Sequence, residues 1–141
     1  MAFTRESEYA LLGLAVLANR PEGAVVSLGE VAAERDLPQA FMAKVFRKLA
    51  RHSLLTAHRG RGMGYSLAHP PEELLVQDVL EAVEGPGLGS RCLLWEGHCH
   101  ETNPCPLHFR LEKANAEFRK ALSSVTLADY LADSEHSQVR P

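Results

Sequence analysis

The sequence predicts a mainly helical chain that contains one small β-hairpin. Three features indicate this fold class: apolar residues recur at helical spacing, capping residues and prolines divide the chain into short segments, and two β-prone runs flank a glycine-rich turn. The chain has 141 residues, 45% of them hydrophobic, and therefore fits one domain with an appended element. This length excludes large barrels and multidomain enzymes, and the composition excludes a disordered chain.

Three helices are predicted in the N-terminal part of the chain. Good helix formers predict the first over about residues 5–19. Ser27 and Glu30 have the spacing of a capping box, which predicts a second helix from Leu28 to about Arg35. The inner face of a third helix is then marked by apolar residues at i, i+3, i+4 and i+7, namely Met42, Val45, Phe46 and Leu49. Two short helices joined by a tight turn form a helix-turn-helix candidate.

The outer face of the third helix suits a DNA major groove. Small residues near its start would permit close approach, while glutamine, lysine and arginine side chains could contact base edges and phosphates. An ordinary solvent-exposed face is the alternative interpretation. The candidate DNA-binding residues in this unit are Ser27, Gln39, Ala40, Lys44, Arg47 and Arg51.

Residues 53–57 and 65–68 predict two short strands joined by a turn with three glycines and two arginines. Glycines allow the turn to lie close to a sugar-phosphate surface, and arginines can enter an electronegative minor groove. Arg59, Gly60 and Arg61 are therefore further candidate DNA-binding residues. A helix-turn-helix followed by such a hairpin predicts a winged helix-turn-helix domain. The turn lacks the Lys-Ser/Thr ending of a nucleotide-binding P-loop.

The charge distribution agrees with a DNA-binding module joined to a different one. The net charge is -3, yet residues 27–69 hold seven basic and three acidic side chains, whereas residues 70–141 hold six and twelve. No window resembles a membrane span or a signal peptide, so we expect a cytoplasmic protein without a membrane partner.

The C-terminal part of the chain contains all three cysteines. A fourth helix is predicted to end at Gly85, and a long loop over residues 85–104 follows it. Cys92, Cys99 and Cys105 have the spacing C-x6-C-x5-C, and His108 follows at C-x2-H. Clustered cysteines in a cytosolic protein indicate a metal or cluster site. Because proline favours the first turn of a helix, Cys105 is predicted to cap the next helix.

The cysteine spacing leaves the type of site open. It is wider than the close cysteine pairs of most zinc sites and favours an iron-sulfur cluster, whose own sulfurs extend the distance between ligands. A zinc site of three cysteines and a histidine, and cluster-free thiol redox chemistry, are the alternatives.

A near-heptad apolar stripe follows the cysteines and predicts a helix of about 18 residues. The stripe consists of Leu107, Leu111, Ala114, Phe118, Leu122 and Val125. Packing within its own domain is one interpretation, but helix-turn-helix proteins commonly dimerise to bind two-fold half-sites, which favours a dimerisation helix. Thr126 and Asp129 have capping spacing for a short last helix, and residues 134–141 are predicted to form a disordered tail.

The segment 27–32, the third helix, the hairpin residues 59–67, the cysteine loop and the ending 125–129 together resemble the IscR/NsrR superfamily of bacterial winged-helix regulators. The resemblance implies a homodimeric transcription factor whose cluster state alters its affinity for DNA. It also implies a contact of Arg59 with DNA.

The resemblance implies two alternatives for the fourth cluster ligand. In one branch a histidine placed like His108 holds a 2Fe-2S cluster, and in the other an acidic residue placed like Glu8 of the partner's first helix holds a 4Fe-4S cluster. The sequence C-P-L-H resembles the histidine branch, which favours 2Fe-2S. Within the hairpin, Met63 departs from the commoner family pattern.

The predicted organisation is a winged helix-turn-helix domain (1–84), a cysteine-bearing loop (85–105), a dimerisation helix with a short last helix (106–133), and a tail (134–141). The predicted function is a DNA-binding transcriptional regulator, a repressor, that senses redox state, nitric oxide or iron status and binds a double-stranded DNA operator. The alternatives are a zinc-binding or thiol-redox winged-helix regulator, and a protein-interaction module without DNA binding. No catalytic residue pair accompanies the cysteines, so an enzyme is not expected.

Overall fold

The computed structural model describes residues 3–92, 94–95 and 97–134. The elements within these residues are α1 (Arg5–Ala18), α2 (Leu28–Arg35), α3 (Gln39–Arg51), β1 (Leu55–His58), β2 (Gly64–Leu67), α4 (Val76–Glu84), α5 (His108–Ser123) and α6 (Leu127–Ser134). The predicted class, mainly α with a small hairpin, is confirmed. None of the described helices is long and apolar enough to cross a membrane.

The core lies where α1 packs against α2, α3 and α4. The predicted apolar stripe of α3 is fully buried there, as are Leu14 and Val16 of α1. Gly13 permits this close packing, because a Cβ atom at this position would lie 2.5 Å from the Phe46 ring. The recognition candidate α3 is therefore held firmly against α1.

The predicted capping box of α2 is present. The Glu30 amide donates to Ser27 Oγ at 3.2 Å, and the Ser27 amide donates to Glu30 Oε2 at 3.0 Å. After α2, Asp36 adopts a left-handed conformation with φ of 52°, and α3 begins at Gln39. The short connection sets the two helices as a helix-turn-helix.

The hairpin is antiparallel and is tied to the helical core. Leu55 pairs with Leu67, and His58 pairs with Gly64, so the strands are displaced by one or two residues from the predicted bounds. Val26 exchanges both of its backbone hydrogen bonds with Tyr65, each at 2.9 Å. A Cβ at position 64 would lie 2.4 Å from the Val26 carbonyl oxygen, which explains the glycine there.

The predicted cap of α5 by Cys105 is wrong, because α5 begins at His108 and its N-cap is Leu107. The Cys105 amide instead donates to Cys99 Sγ at 3.3 Å, and the Cys105 carbonyl accepts from the His108 amide at 3.0 Å. Cys105 and Pro106 thus form a turn of the cysteine loop ahead of the helix. The observed α5 has 16 residues, slightly fewer than predicted.

The last helix begins with the predicted cap: the Asp129 amide donates to Thr126 Oγ1, and the Thr126 amide donates to Asp129 Oδ2, both at 3.0 Å. Ser134, predicted as the first residue of the tail, is the last residue of α6, and residues 135–141 lie outside the described residues.

Candidate functional site

A groove separates the second half of α3 from the hairpin. We call it the recognition groove; its volume is about 480 Å³. Three arginines and one histidine contribute to its walls, so a positively charged surface lies between a helix and a wing. Its lining residues are Arg47, Ala50, Arg51, Ala57, His58, Arg59, Met63, Gly64 and Tyr65.

The predicted hairpin residues lie at its exposed tip. Arg59 and Arg61 are exposed, and Gly60 has a φ of 83°, a conformation that favours glycine. The amide of Met63 donates to the Gly60 carbonyl at 3.1 Å and closes the turn. Met63 is 68% exposed, although it is a large apolar residue. The tip therefore offers two guanidinium groups and one apolar side chain to a partner.

The predicted contact residues of the helix-turn-helix differ in how free their side chains are. Gln39 and Ala40 are exposed at the first turn of α3. Arg47 is also exposed, and its Nε donates to its own helix at the Ala43 carbonyl. Arg51 is exposed at the last turn of α3, beside the groove.

Lys44 and Ser27 already have partners within the chain. The Lys44 ammonium lies 2.6 Å from Glu6 Oε1, and Lys48 also forms an ion pair with Glu6. The hydrogen bonds from Lys44 and then Lys48 hold the pKa of Glu6 below its ordinary value. The Ser27 hydroxyl is used in the α2 capping box.

The three cysteines converge on one point. Their sulfur atoms lie within 4.8 Å of one another, and each residue is half-buried. Cys92 Sγ is 3.8 Å from Cys105 Sγ, and Cys99 Sγ is 3.2 Å from His108 Nδ1. The four predicted side chains are therefore together, arranged as two close pairs.

The thiol groups have different electrostatic surroundings. The backbone amides of Leu94 and Trp95 donate to Cys92 Sγ, and they lower the pKa of this thiol below its ordinary value. The Cys105 amide favours the thiolate of Cys99, but burial and the neighbouring thiols outweigh it and raise the Cys99 pKa. A cation placed among the three sulfurs would favour the thiolate form of all of them.

Glu8 is exposed on α1. Its predicted role requires a second subunit, so that role stays a prediction.

A cavity of about 360 Å³ lies beside the cysteines. One face of α5 forms one wall of this cavity, and the cysteine loop forms the other wall. The residues that line it are Ser90, Cys92, Cys99, His100, Glu101, His108, Leu111, Glu112, Asn115 and Arg119. Sequence reasoning missed Asn115, although its spacing of seven from His108 places both on one helical face.

The C-terminal turn of α4 contacts both the cysteine loop and α3. Lys48 Nζ of α3 donates to the Val83 carbonyl at 3.3 Å, and Arg91 Nη2 of the cysteine loop donates to the Glu84 carbonyl at 2.9 Å. The last carbonyls of a helix have no partner within it, so basic side chains from two other segments satisfy them here. The two candidate sites thus share one structural support.

The Glu84 side chain ties the same turn to α1. Glu84 Oε1 accepts hydrogen bonds from the Thr4 amide, the Thr4 hydroxyl and the Ser7 hydroxyl at 2.7–2.8 Å. Burial by itself would raise the pKa of this carboxyl, but the hydrogen bonds from Ser7 and Thr4 outweigh it and lower the pKa.

A helix-turn-helix with a basic wing, combined with a cysteine site, defines the class of winged-helix regulators. The sequence matches the Rrf2 family, described as an iron-dependent transcriptional regulator, over residues 3–133. The chain belongs to this family and is a transcriptional regulator of the Rrf2 type, which confirms the predicted resemblance.

Individual relatives agree with this assignment. A protein of Aquifex aeolicus (strain VF5), named as an HTH-type transcriptional regulator, is 30% identical over 134 residues, covering 93% of this chain and 92% of the relative. The structure of IscR from T. potens has a TM-score of 0.73 at 24% identity, covering 100% of this chain and 93% of that one. CymR, the global cysteine regulator of B. subtilis, has a TM-score of 0.73 at 21% identity, covering 94% and 97%. At these identities the two structures establish the shared winged helix-turn-helix fold.

Proposed function

We propose that this chain is a homodimeric repressor that binds an operator in double-stranded DNA, and that an iron-sulfur cluster held by Cys92, Cys99, Cys105 and His108 sets its affinity. The observation that carries the proposal is the convergence of three thiols from the cysteine loop with one imidazole from the start of α5, where Arg91 ties that loop to the last turn of α4. The sensed signal is redox state, nitric oxide or iron status.

The recognition groove supports DNA binding. In a winged-helix complex the recognition helix enters the major groove and the wing reaches the neighbouring minor groove, so one phosphate backbone passes between them. Arg47, Arg51 and Arg59 line the groove in which that backbone would lie. Gln39 and Ala40 at the start of α3 would face base edges, and Arg61 would add a wing contact.

The second subunit is supported by the poor burial of α5. Among the described residues of this helix only Asn115 is buried. Leu107 is 41% exposed and Phe109 is 71% exposed, while Phe118 is partly covered by stacking on Phe3. The stripe therefore packs partly within its own chain, and its Leu107 together with the neighbouring Phe109 leaves apolar area for a second copy of α5. A two-fold dimer would present two recognition helices to two half-sites.

The donor set fits an iron-sulfur cluster. Two thiolates on one tetrahedral ion with metal–sulfur bonds of about 2.3 Å stand about 3.8 Å apart, and Cys92 and Cys105 have a separation of 3.8 Å. The second pair, Cys99 with His108, could bind a second tetrahedral iron. Two pairs support a 2Fe-2S cluster over a 4Fe-4S cluster, in which each iron takes a single protein ligand. When bound, this group would supply reversible one-electron chemistry and a target for oxidants.

The chain's own residues would carry the signal to the DNA-binding unit. Ligation by the three cysteines would fix the loop that contains Arg91, and Arg91 bonds the last turn of α4. The same turn accepts from Lys48 of α3. DNA affinity would change tenfold if ordering of the loop changed the free energy of DNA binding by about 1.4 kcal/mol between the cluster-loaded and the cluster-free protein.

A cluster-free thiol switch is the second candidate, and one observation favours it. Cys92 and Cys105 are already in sulfur contact, and the lowered pKa of Cys92 favours its thiolate. Oxidation by hydrogen peroxide would remove two electrons and two protons from the pair and form one disulfide, and the peroxide would take them up to give two molecules of water.

The test is the composition of protein purified without oxygen from iron-replete cells. The proposal predicts coloured protein with equal amounts of iron and acid-labile sulfide, two of each per chain, and loss of both in a Cys92→Ala variant. Colourless protein with zinc would indicate a single-ion site, and metal-free protein with a peroxide-dependent disulfide would indicate the thiol switch. Either result would contradict the cluster proposal.

A further inference from the structure

The cavity beside the cysteines contains an unusual polar side chain. Asn115 is 8% exposed and is the one buried residue among the described positions of α5. Within the described part of the chain, no protein group forms a hydrogen bond with its side-chain amide, whereas the neighbouring Arg119 donates to the Gly89 carbonyl.

The amide is directed toward the cavity. Among the described residues, every side-chain nitrogen or oxygen that is fully enclosed has a hydrogen-bond partner. Because the side-chain amide of Asn115 has no such partner, its polar atoms must remain accessible. Asn115 lines the cavity together with Cys92, Cys99 and His108, and the rest of the residue is covered. The accessible amide therefore opens into the space next to the ligand cluster.

The position on α5 supports the same conclusion. His108 and Asn115 are seven residues apart, two helical turns, and thus lie on one face. Leu111 lies between them on this face, also lining the cavity. The helix that carries the candidate fourth ligand therefore also aims a hydrogen-bond donor at the group that ligand would hold.

We propose that Asn115 is a positioning residue for the cofactor, and that its side-chain NH₂ donates a hydrogen bond to a sulfur atom of the iron-sulfur cluster. This inference rests on the proposed function. A hydrogen bond to sulfur stabilises the reduced, more negative cluster and raises its reduction potential. Asn115 would set the potential at which the regulator changes state, without ligating iron.

The test compares cluster-loaded wild-type protein with Asn115→Leu and Asn115→Asp variants. Leucine removes the donor in a similar volume, and aspartate keeps the shape but cannot donate when ionised. In both variants we expect the equilibrium between oxidised and reduced cluster to shift about tenfold toward the oxidised form. For a one-electron couple this shift lowers the reduction potential by about 59 mV. Ala116→Asp is the matched control, because it adds the same charge to α5 at an exposed residue outside the lining of the cavity. Its potential is expected to change much less.

A second readout separates a direct bond from a general structural effect. Pulsed electron paramagnetic resonance of the reduced protein in D₂O should detect a strongly coupled exchangeable deuteron in the wild type and lose it in Asn115→Leu. An unchanged potential and an unchanged deuteron signal in that variant would overturn the inference alone. Failure of the wild type to take up iron and sulfide would overturn the inference together with the proposed function.

Discussion

Gly13 lies where α1 packs tightly against α3. A Cβ at this position would lie 2.5 Å from Phe46 Cε1 and 2.7 Å from Met42 Cε, and both of those side chains are fully buried. Gly13→Ala is therefore expected to destabilise the protein by about 1–3 kcal/mol through overpacking. Urea unfolding monitored by circular dichroism measures the change.

Gly29→Ala is the control for that substitution. Gly29 is also helical, but its Cβ would meet only Gln39 side-chain atoms at 3.8 Å. The added helix propensity of alanine should stabilise this variant by up to about 1 kcal/mol. Equal effects of the two substitutions would contradict the packing described for α1.

Glu6 gives the contact between α1 and α3 a pH dependence. Its pKa is lowered in the folded state by Lys44 and Lys48, so its stabilising contribution is complete above the ordinary value of 4.5. The contribution is lost as the pH falls through the lower folded-state value. A Glu6→Gln variant should be less stable than the wild type at pH 7, and the difference should shrink toward pH 3 in urea titrations. A difference independent of pH would contradict this ion pair.

The basic residues of the hairpin and of α3 should differ in how much each contributes to the proposed DNA binding. Arg59 lines the recognition groove and is exposed, whereas the Lys44 ammonium is paired with Glu6. Arg59→Ala should weaken DNA binding and reduce the slope of log K against log salt by about 0.9, the value for one phosphate.

Lys44→Ala is the comparison, measured in the same salt series by fluorescence anisotropy. We expect a smaller loss of affinity and a smaller change of slope, because the Lys44 ammonium already shares an ion pair with Glu6 in the folded protein. Equal losses in both variants would show that the ion pair with Glu6 opens when DNA binds.

Elements with strong local signals were predictable from sequence. The capping box at Ser27 and Glu30 and the apolar stripe of α3 both depend on spacing within one helix, and both predicted helices agree with the structure. The observed limits of the two strands differ from the predicted ones because the position of β2 also depends on Val26, which pairs with Tyr65 across 39 residues of sequence. Such a contact leaves no periodic pattern.

The candidate site was predictable in its residues but not in its contacts. Cysteine spacing identified the four side chains that converge, yet the rule that proline begins helices misplaced Cys105, whose amide bonds Cys99 Sγ instead. Helical spacing correctly put Lys44 on the outer face of α3, but the partner Glu6 comes from α1. Long-range partners such as these require the folded chain.

Across the molecule, the last turn of α4 joins the cysteine loop to α3. Lys48 of α3 and Arg91 of the loop donate to the adjacent carbonyls of Val83 and Glu84. Lys48→Met should therefore reduce the ratio of DNA affinities between cluster-loaded and cluster-free protein by severalfold.

Lys44→Met is the matched control for Lys48→Met. It removes a neighbouring charge that also pairs with Glu6, but among the described residues the Lys44 ammonium contacts Glu6 and the Phe41 ring and not α4. Both variants should lower absolute affinity to a similar extent, and the ratio should fall only for Lys48→Met. An unchanged ratio in both variants would mean that coupling between the two sites takes another route.

The most direct test of the account is DNA affinity measured on one protein preparation before and after its cluster is removed. A duplex enriched from a random library by anaerobically purified protein would be titrated at fixed salt, with a Cys92→Ala, Cys99→Ala, Cys105→Ala variant in parallel. We expect removal to change the affinity of the wild type at least tenfold and the variant to match the cluster-free protein under all redox conditions. Equal affinities of loaded protein, stripped protein and variant would contradict it.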